Sequence, residues 1–454
     1  MRFRSPAAGG IRVFAVAGTN TISFGIEADA AARTGLLGFA VERIDPTENQ
    51  RYFMSGFKVF PSVIPAPDAT ITVSTFEHPI QSLVWDDFTA KPGRPYTYRF
   101  HPLAGAPKNL DRTRPVVELD VETEPLHGGT HDVFFNRGVA SSQRYALKFG
   151  NLPPDRQPTE RRRREALAWL SRDLDEAMLR FIRAARPGQA IRGCVYEFTY
   201  APVLAELKHA IDQGVDVKLV VDLKVNEHTT NEKQRDGSTK AVFHASDPRL
   251  RNLQAITDAG LPDSAIVRRE ARRSSIAHNK FMVLLNAAGK PTQVWTGSTN
   301  LTDGGVHGQA NVGHWIRDRA VAGAYLDYRR LGLNSHVAFM HCKFLLRDPL
   351  GPDPIVVTGS ANFSEASTTG NDENMVIIRG DRRVADIYFT EFNRLFNHYY
   401  FRAVVDRTSR GTTAAASPAT AGSLALAEND GWLEKYAPGT LRTKRVDQYV
   451  RMAL

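Results

Sequence analysis

The chain has 454 residues, 42% of them hydrophobic, which suggests about three domains with packed globular cores. No apolar stretch is long enough to span a membrane, no signal peptide is evident, and two cysteines indicate no disulfide framework, so a cytoplasmic protein is expected. The net charge of +9 favours a polyanionic or anionic-surface partner, such as nucleic acid or acidic lipid.

Residues 1–125 have the pattern of short strands separated by turns. Strands are predicted at 11–17, 21–26, 36–44, 71–75, 96–102 and 116–121. Such spacing predicts an all-β sandwich, with Trp85 and Tyr96 packed in its core. The stretch around Tyr98 and Phe100, which alternate after a turn, resembles the late part of a fibronectin type III domain and implies an accessory or binding module.

After residue 126 the pattern changes to helices and a parallel sheet. Leucines and aromatics at helical spacing predict one long helix through 167–181. The stretch 191–222 predicts a strand, a helix and a second strand, which together form a βαβ unit. The polar segment 227–238 is predicted to be an exposed loop.

Two later stretches are near copies of each other. In the first, His278 and Lys280 precede an apolar run, and a second apolar run leads to Ser298 and Asn300. The second copy has the same order of residue types: His341, Lys343, Ser360 and Asn362. Strand side chains alternate between faces, so each His shares a face with its Lys. Each copy therefore predicts a hairpin that presents His, Lys, Ser and Asn together.

This doubled pattern resembles the phospholipase D superfamily, whose signature is HxKxxxxD followed by GSxN. The second copy matches in full, including Asp348, whereas the first has Leu285 where the family has Asp. The resemblance implies an α/β fold: a pseudo-twofold α/β/α sheet domain, here preceded by the all-β sandwich. It also implies a metal-independent phosphodiesterase without a cofactor, acting on a phospholipid-type diester through a covalent phosphohistidine.

The chemistry of phosphodiester cleavage accounts for these residue types. The anionic oxygens need positive charge and hydrogen-bond donors, which two lysines and the Ser and Asn side chains supply. A neutral imidazole attacks phosphorus and a protonated one donates to the leaving oxygen, so two histidines can divide the roles. Following the resemblance, His278 is expected to be the nucleophile and His341 the acid.

The family also places a Glu or Gln downstream of GSxN to orient the histidine. Glu373 has a suitable offset in the second copy, where it is expected to hold His341 and raise its pKa. Either Gln309 or Asn311 suits this role in the first copy, and Asp348 is a further orienting candidate.

The second half lacks a strand–helix–strand unit before its motif, so it is expected to be shortened near residues 330–333. Three domains are predicted: the sandwich at 1–125, a first phospholipase D-like half at 126–330, and a shortened second half with a C-terminal tail at 331–454. An exposed strand edge in the shortened half would favour a homo-oligomer.

The partner is expected to be a phosphodiester, either phospholipid or nucleic acid, with peripheral membrane contact as a further possibility. The alternatives are a nuclease of the same superfamily and a catalytically degraded anion-binding protein.

Overall fold

The computed structural model describes residues 1–67, 71–137, 143–223, 227–233, 238–244, 249–269, 278–327, 342–364, 367, 373–409 and 424–454. The chain divides into two compact units. The first unit contains residues 1–126, 346–356 and 378–454, and the second contains 127–345 and 357–377. One division falls after residue 126, near the boundary predicted at residue 125. Each unit also combines segments that are distant in the chain.

Two antiparallel sheets form the N-terminal part of the first unit. The strands are β1 (Arg2–Arg4), β2 (Ile11–Ala17), β3 (Ile22–Ala28), β4 (Gly38–Asp45), β5 (Gln50–Phe53), β6 (Ser55–Gly56), β7 (Val73–Ser74), β8 (Val84–Asp87), β9 (Pro95–Ala106), β10 (Asn109–Asp111) and β11 (Val117–Glu122). One sheet has the order β1-β2-β3-β8, and the other has the order β10-β9-β4-β5 with β11 paired to β9. The short strands β6 and β7 pair with each other in a separate two-stranded sheet. The all-β region predicted at this position is confirmed.

The two sheets share an aromatic core. Phe24 on β3 lies 4.7 Å from the Tyr98 ring and 5.3 Å from the Phe100 ring, both on β9. Trp85 stacks on Phe24 at 5.4 Å, and Tyr96 is buried, so both aromatics pack in the core as predicted. Alternation along β9 explains this arrangement, because every second side chain points to the same face.

C-terminal segments complete the first unit. They include α8 (Arg382–Ser409), a 3₁₀ turn at Asp430–Tyr436, and α9 (Leu441–Val450), whereas the short helix α1 (Ala30–Arg33) lies between β3 and β4 in the sequence. On α8, Ile387 and Leu395 are buried, but Phe392 and Phe396 are 46% and 48% exposed.

A seven-stranded mixed sheet organises the second unit, with the order β12-β20-β19-β18-β13-β14-β17. These strands are β12 (His131–Phe135), β13 (Ala190–Val195), β14 (Asp216–Asp222), β17 (Ile266–Arg269), β18 (Lys280–Leu285), β19 (Pro291–Gly297) and β20 (Val312–Ile316). β13 and β14 are parallel and joined through α5 (Ala201–Asp212), so the predicted βαβ unit is confirmed. β18 and β19 form the predicted antiparallel hairpin.

Further helices belong to this unit: α2 (Gln143–Phe149), α3 (Glu160–Ser171), α4 (Leu174–Arg183), α6 (Arg249–Asp258) and α7 (Arg319–Asp327). The single long helix predicted through 167–181 is wrong, because α3 ends where Arg172 and Asp173 adopt φ values of 45° and 69°. Such left-handed residues interrupt helical hydrogen bonding. The Arg172 Nε donates to the Phe135 carbonyl at 2.8 Å, which holds the break against β12.

Two smaller sheets carry the remaining strands. β15 (His228–Lys233) and β16 (Thr239–His244) form an antiparallel hairpin where an irregular loop was predicted. β21 (Phe344–Arg347), β22 (Ile355–Gly359) and β23 (Met375–Arg379) form a three-stranded sheet whose residues are divided between the two units. The segment expected to be shortened, near residues 330–333, lies outside the described residues, and so does His341.

Asn252 on α6 fixes the carboxyl ends of β13 and β14. It is fully buried; its Oδ1 accepts from the Phe198 amide at 2.8 Å, and its Nδ2 donates to the Tyr196 carbonyl at 2.9 Å and the Asp222 carbonyl at 3.3 Å. Buried backbone groups need such partners, since an unsatisfied one costs stability.

We therefore expect Asn252→Ala to lower the free energy of unfolding by roughly 2–4 kcal/mol, because it leaves several buried groups without partners. Urea denaturation of the purified protein measures this change. Asn231→Ala, at an exposed position on β15, is the matched control and should have little effect. Equal stabilities of the two variants would contradict the role assigned to Asn252.

Candidate active site

The two Gly-Ser corners, at the ends of β19 and β22, have the same backbone geometry. Ser298 N donates to the Val312 carbonyl at 3.0 Å, and Ser360 N donates to the Asn374 carbonyl at 3.0 Å. A Cβ on Gly297 would lie 2.2 Å from the Val312 oxygen, and one on Gly359 would lie 2.1 Å from the Asn374 oxygen. Glycine precedes each serine because only a residue without a side chain permits this close approach.

Each serine hydroxyl binds a side chain 13 residues downstream. Ser298 Oγ donates to Asn311 Oδ1 at 2.8 Å, and Ser360 Oγ donates to Glu373 Oε2 at 2.6 Å. Asn311 therefore occupies the position of Glu373 in the other copy, and Gln309 does not. A hydroxyl has one hydrogen to donate. Both serines, predicted to bind phosphate, thus use that hydrogen within the protein and act as supports.

Glu373 contacts the histidine of the first copy. His278 Nδ1 lies 3.0 and 3.1 Å from the two carboxylate oxygens of Glu373, and both side chains are buried. Ser367 Oγ also donates to Glu373, at 3.2 Å. Because a carboxylate only accepts, His278 Nδ1 carries the hydrogen and Nε2 keeps its lone pair. Glu373 was predicted to orient His341, which lies outside the described residues; in the structure Glu373 contacts His278 of the first copy.

Burial lowers the pKa of His278 to about 4, and the charges of Lys280 and Lys343 act in the same direction. The hydrogen bond and charge of Glu373 raise this pKa but do not outweigh burial. The imidazole is therefore neutral at neutral pH, with Nε2 unprotonated. That state is the one required of a nitrogen nucleophile. The predicted increase in the pKa of His341 by Glu373 stays a prediction, because His341 lies outside the described residues.

Two buried lysines provide the positive charge of this site. The Lys280 ammonium donates to the His278 carbonyl, and its pKa is well below the usual value because of burial and the charge of Lys343. Burial lowers the pKa of Lys343 to about 7. Glu373 raises the pKa of both lysines. An anion bound beside them would favour their charged forms, so the site is suited to a phosphate group.

The asparagines of the two copies differ. Asn300 is buried and donates from Nδ2 to the carboxylate of Glu197, whereas Asn362 is exposed, with its backbone amide donating to Ser367 Oγ at 3.1 Å. Asp348 is also exposed, in the first unit, where its φ of 45° belongs to the turn after β21. The predicted orienting role of Asp348 stays a prediction.

Several residues that sequence patterns did not single out take part in the site. Asn374 Nδ2 donates to Asn279 Oδ1 at 2.9 Å, and Asn374 Oδ1 accepts from Thr296 at 2.9 Å, which joins the two copies. The Tyr196 ring lies 5.3 Å from the His278 ring and 5.6 Å from the Lys280 ammonium. The sequence signal for Tyr196 and Glu197 was their place directly after a strand of the parallel pair, where ligands commonly bind.

Other kinds of site were also sought among the described residues. No group of three or more His, Cys, Asp or Glu side chains in that part of the chain is arranged to hold a metal ion. Within the same residues, every helix is too short or too polar to cross a membrane. A cavity of about 420 Å³ lies in the first unit between Ile11, Arg12, Tyr436 and Val450.

The lowered lysine pKa values predict that anion binding takes up protons. At pH 8 Lys343 is mostly neutral in the empty site, and a bound anion raises its pKa, so roughly one proton should enter with dimethyl phosphate. Calorimetry in two buffers of different ionisation enthalpy measures that number. Lys343→Arg keeps the charge without titrating, so uptake should fall by roughly one proton. Binding without proton uptake by the wild type would contradict the lowered pKa.

The chain is similar to known proteins in two comparisons. Residues 178–330 and 313–396 match the model of a protein family described as the phospholipase D-like domain of cardiolipin synthase. A solved structure of a phospholipase D family member, Nuc from Salmonella typhimurium, is 23% identical, covers 34% of this chain and 82% of its own, and has a TM-score of 0.24. No curated protein sequence matches the chain at a significant level.

Proposed function

The chain belongs to the phospholipase D superfamily of phosphodiesterases, and from that premise we propose that it hydrolyses a phospholipid-type diester through a covalent phosphohistidine on His278. One observation carries this proposal: Glu373 holds Nδ1 of a neutral, buried His278. That contact directs the lone pair of Nε2 away from the carboxylate, and the charges of the buried Lys280 and Lys343 act on the same imidazole. No metal ion takes part in the proposed reaction.

The proposed reaction has two steps that balance without a cofactor. In the first, His278 Nε2 forms a bond to phosphorus, the ester P–O bond breaks, and His341 gives its proton to the departing oxygen. In the second, His341 takes a proton from water, the water oxygen bonds to phosphorus, and the P–N bond breaks. Lys280 and Lys343 stabilise the negative charge on the non-bridging oxygens in both transition states.

The family match supports a phospholipid rather than a nucleic acid as substrate, because the matching model is described as the phospholipase D-like domain of cardiolipin synthase. The net charge of +9 suits an anionic partner of either kind. In the first unit, the exposed rings of Phe392 and Phe396 stack at 6.0 Å, with the Arg445 guanidinium 5.8 Å from the Phe396 ring. Aromatic and cationic side chains in contact suit the interface of an anionic bilayer, so peripheral membrane contact is part of the proposal.

A reporter diester separates the two histidine roles. With bis(4-nitrophenyl) phosphate, whose leaving group needs little protonation, His341→Ala should release about one equivalent of nitrophenolate and then stop, because no base activates water. Intact and peptide mass spectrometry after an alkaline quench should place the phosphoryl adduct on His278. His278→Ala should lose both the burst and the adduct. An adduct on His341 would contradict the assigned roles, and turnover abolished by a chelator would contradict the metal-free reaction.

The natural substrate class is tested with a panel. Phosphatidylcholine, cardiolipin, single-stranded and duplex DNA, and RNA are incubated with enzyme and chelator, and the His278→Ala variant serves as the control. We expect hydrolysis of a phospholipid that disappears in the variant. Cleavage confined to DNA or RNA would instead favour a nuclease, and inactivity on every member would favour an anion-binding protein.

Self-association is proposed through the three-stranded sheet. Its edge strands β21 and β23 expose Leu345 and Ile377, which are 49% and 58% exposed. Exposed apolar side chains on sheet edges favour pairing with another chain. Sedimentation velocity over a range of concentrations should detect a dimer, and Ile377→Lys should weaken it. Leu441→Lys, 80% exposed on α9, is the control. A monomer at all concentrations would contradict this proposal.

A further inference from the structure

Glu197 is a carboxylate placed in a site that otherwise suits an anion. It follows β13 by two residues, and its backbone is held there because Leu301 N donates to the Glu197 carbonyl at 3.2 Å. The next residue, Phe198, is held by Asn252 on α6. Two contacts therefore fix the position of Glu197. One comes from the segment that carries Asn300, and the other comes from Asn252, which binds the carboxyl ends of the parallel strands.

The side chain of Glu197 is directed to the same group of residues. Its Oε2 accepts from Asn300 Nδ2, and the charge of Glu197 raises the pKa of Lys280. Glu197 is only half-buried, whereas Asn300 and Lys280 are buried. Two glutamates therefore act on the buried lysines, because Glu373 also raises the pKa of Lys280. A carboxylate beside the lysines weakens the attraction of the site for every additional negative charge on a ligand.

We propose that Glu197 is a specificity-determining residue, whose carboxylate restricts the site to phosphodiesters with one negative charge and rejects phosphomonoesters with two. This inference rests on the proposed function, because it assigns the same site to a phosphate group. Phosphomonoesters lose their second proton near pH 6, so at pH 8 they are dianions, whereas diesters stay monoanions. One added unit charge at several Å from a carboxylate changes affinity by about ten- to a hundredfold at an effective dielectric constant near 20.

The negative charge of Glu197 would also assist release of the product. Hydrolysis of a diester produces a phosphomonoester, which acquires its second negative charge at neutral pH. Repulsion by Glu197 then favours dissociation of that product over its retention. The substrate and product differ by this one charge at the phosphate. A fixed carboxylate therefore discriminates between them without contacting the rest of the ligand.

The test is a ratio of two affinities at pH 8, measured by calorimetry with dimethyl phosphate and methyl phosphate. Both ligands meet the same lysines, so the effects of lysine titration largely cancel in the ratio. Glu197→Gln keeps an oxygen acceptor for Asn300 and removes the charge. Glu206→Gln is the matched control, since Glu206 pairs with Arg183 at 2.6 Å on α5, outside the site.

The wild type and Glu206→Gln should prefer dimethyl phosphate, and Glu197→Gln should shift the ratio towards methyl phosphate by at least about tenfold. An unchanged ratio in Glu197→Gln overturns the inference while leaving the proposed function standing. A wild type that binds neither ligand overturns the inference together with the proposed phosphate site. A shifted ratio in an enzyme that hydrolyses no diester supports the inference and counts against the proposed function alone.

Discussion

The contact between Glu373 and His278 is the interaction on which the rest of the site depends. A carboxylate buried away from water is costly unless hydrogen bonds satisfy it. Glu373 obtains them from His278, Ser360 and Ser367. The same contact determines which imidazole nitrogen carries hydrogen, and its charge helps Lys280 and Lys343 to stay protonated. One side chain thus controls the tautomer of His278 and favours the charged forms of Lys280 and Lys343.

The two copies of the motif have the same backbone geometry at their Gly-Ser corners but different side chains 13 residues after each serine. The two Gly-Ser corners place Asn311 and Glu373 in corresponding positions, each bound by a serine hydroxyl. Asn311 is a neutral amide that also donates to the Gly305 carbonyl at 2.8 Å, whereas Glu373 is an acid that reaches a histidine. The backbone repeat therefore supports an electrostatically asymmetric site. Asymmetry of this kind suits a reaction in which two histidines have different tasks.

The fold carries an energetic cost for this arrangement. Burying two lysines near each other lowers the pKa of both, which means that their charged forms are destabilised in the empty site. A bound phosphate would relieve part of that penalty, because its negative charge compensates the lysines. The mixed sheet and the hydrogen bonds of Asn252 hold the side chains of the site near the ends of strands. Rigid support matters because catalysis requires narrow tolerances of position.

The sequence by itself determined the all-β region, the βαβ unit and the hairpin that ends at Ser298. These depend on local alternation and on turn residues, which act within a few positions along the chain. It also identified His278, Lys280, Lys343 and Glu373 as candidates, since their motifs recur. It did not anticipate the left-handed break at Arg172 and Asp173 or the β15–β16 hairpin. Both depend on the local backbone rather than on hydrophobic periodicity.

Only the tertiary structure decided which partners these candidates have. Glu373 contacts His278, 95 residues away, a pairing that the sequence did not predict. Asn311 was one of two alternatives until its bond to Ser298 matched that of Glu373 to Ser360. Glu197 was not among the candidates, because its neighbours Asn300 and Lys280 are distant in the chain. Pairings across strands depend on how the strands are ordered in space, and that order is not encoded in any short stretch of residues.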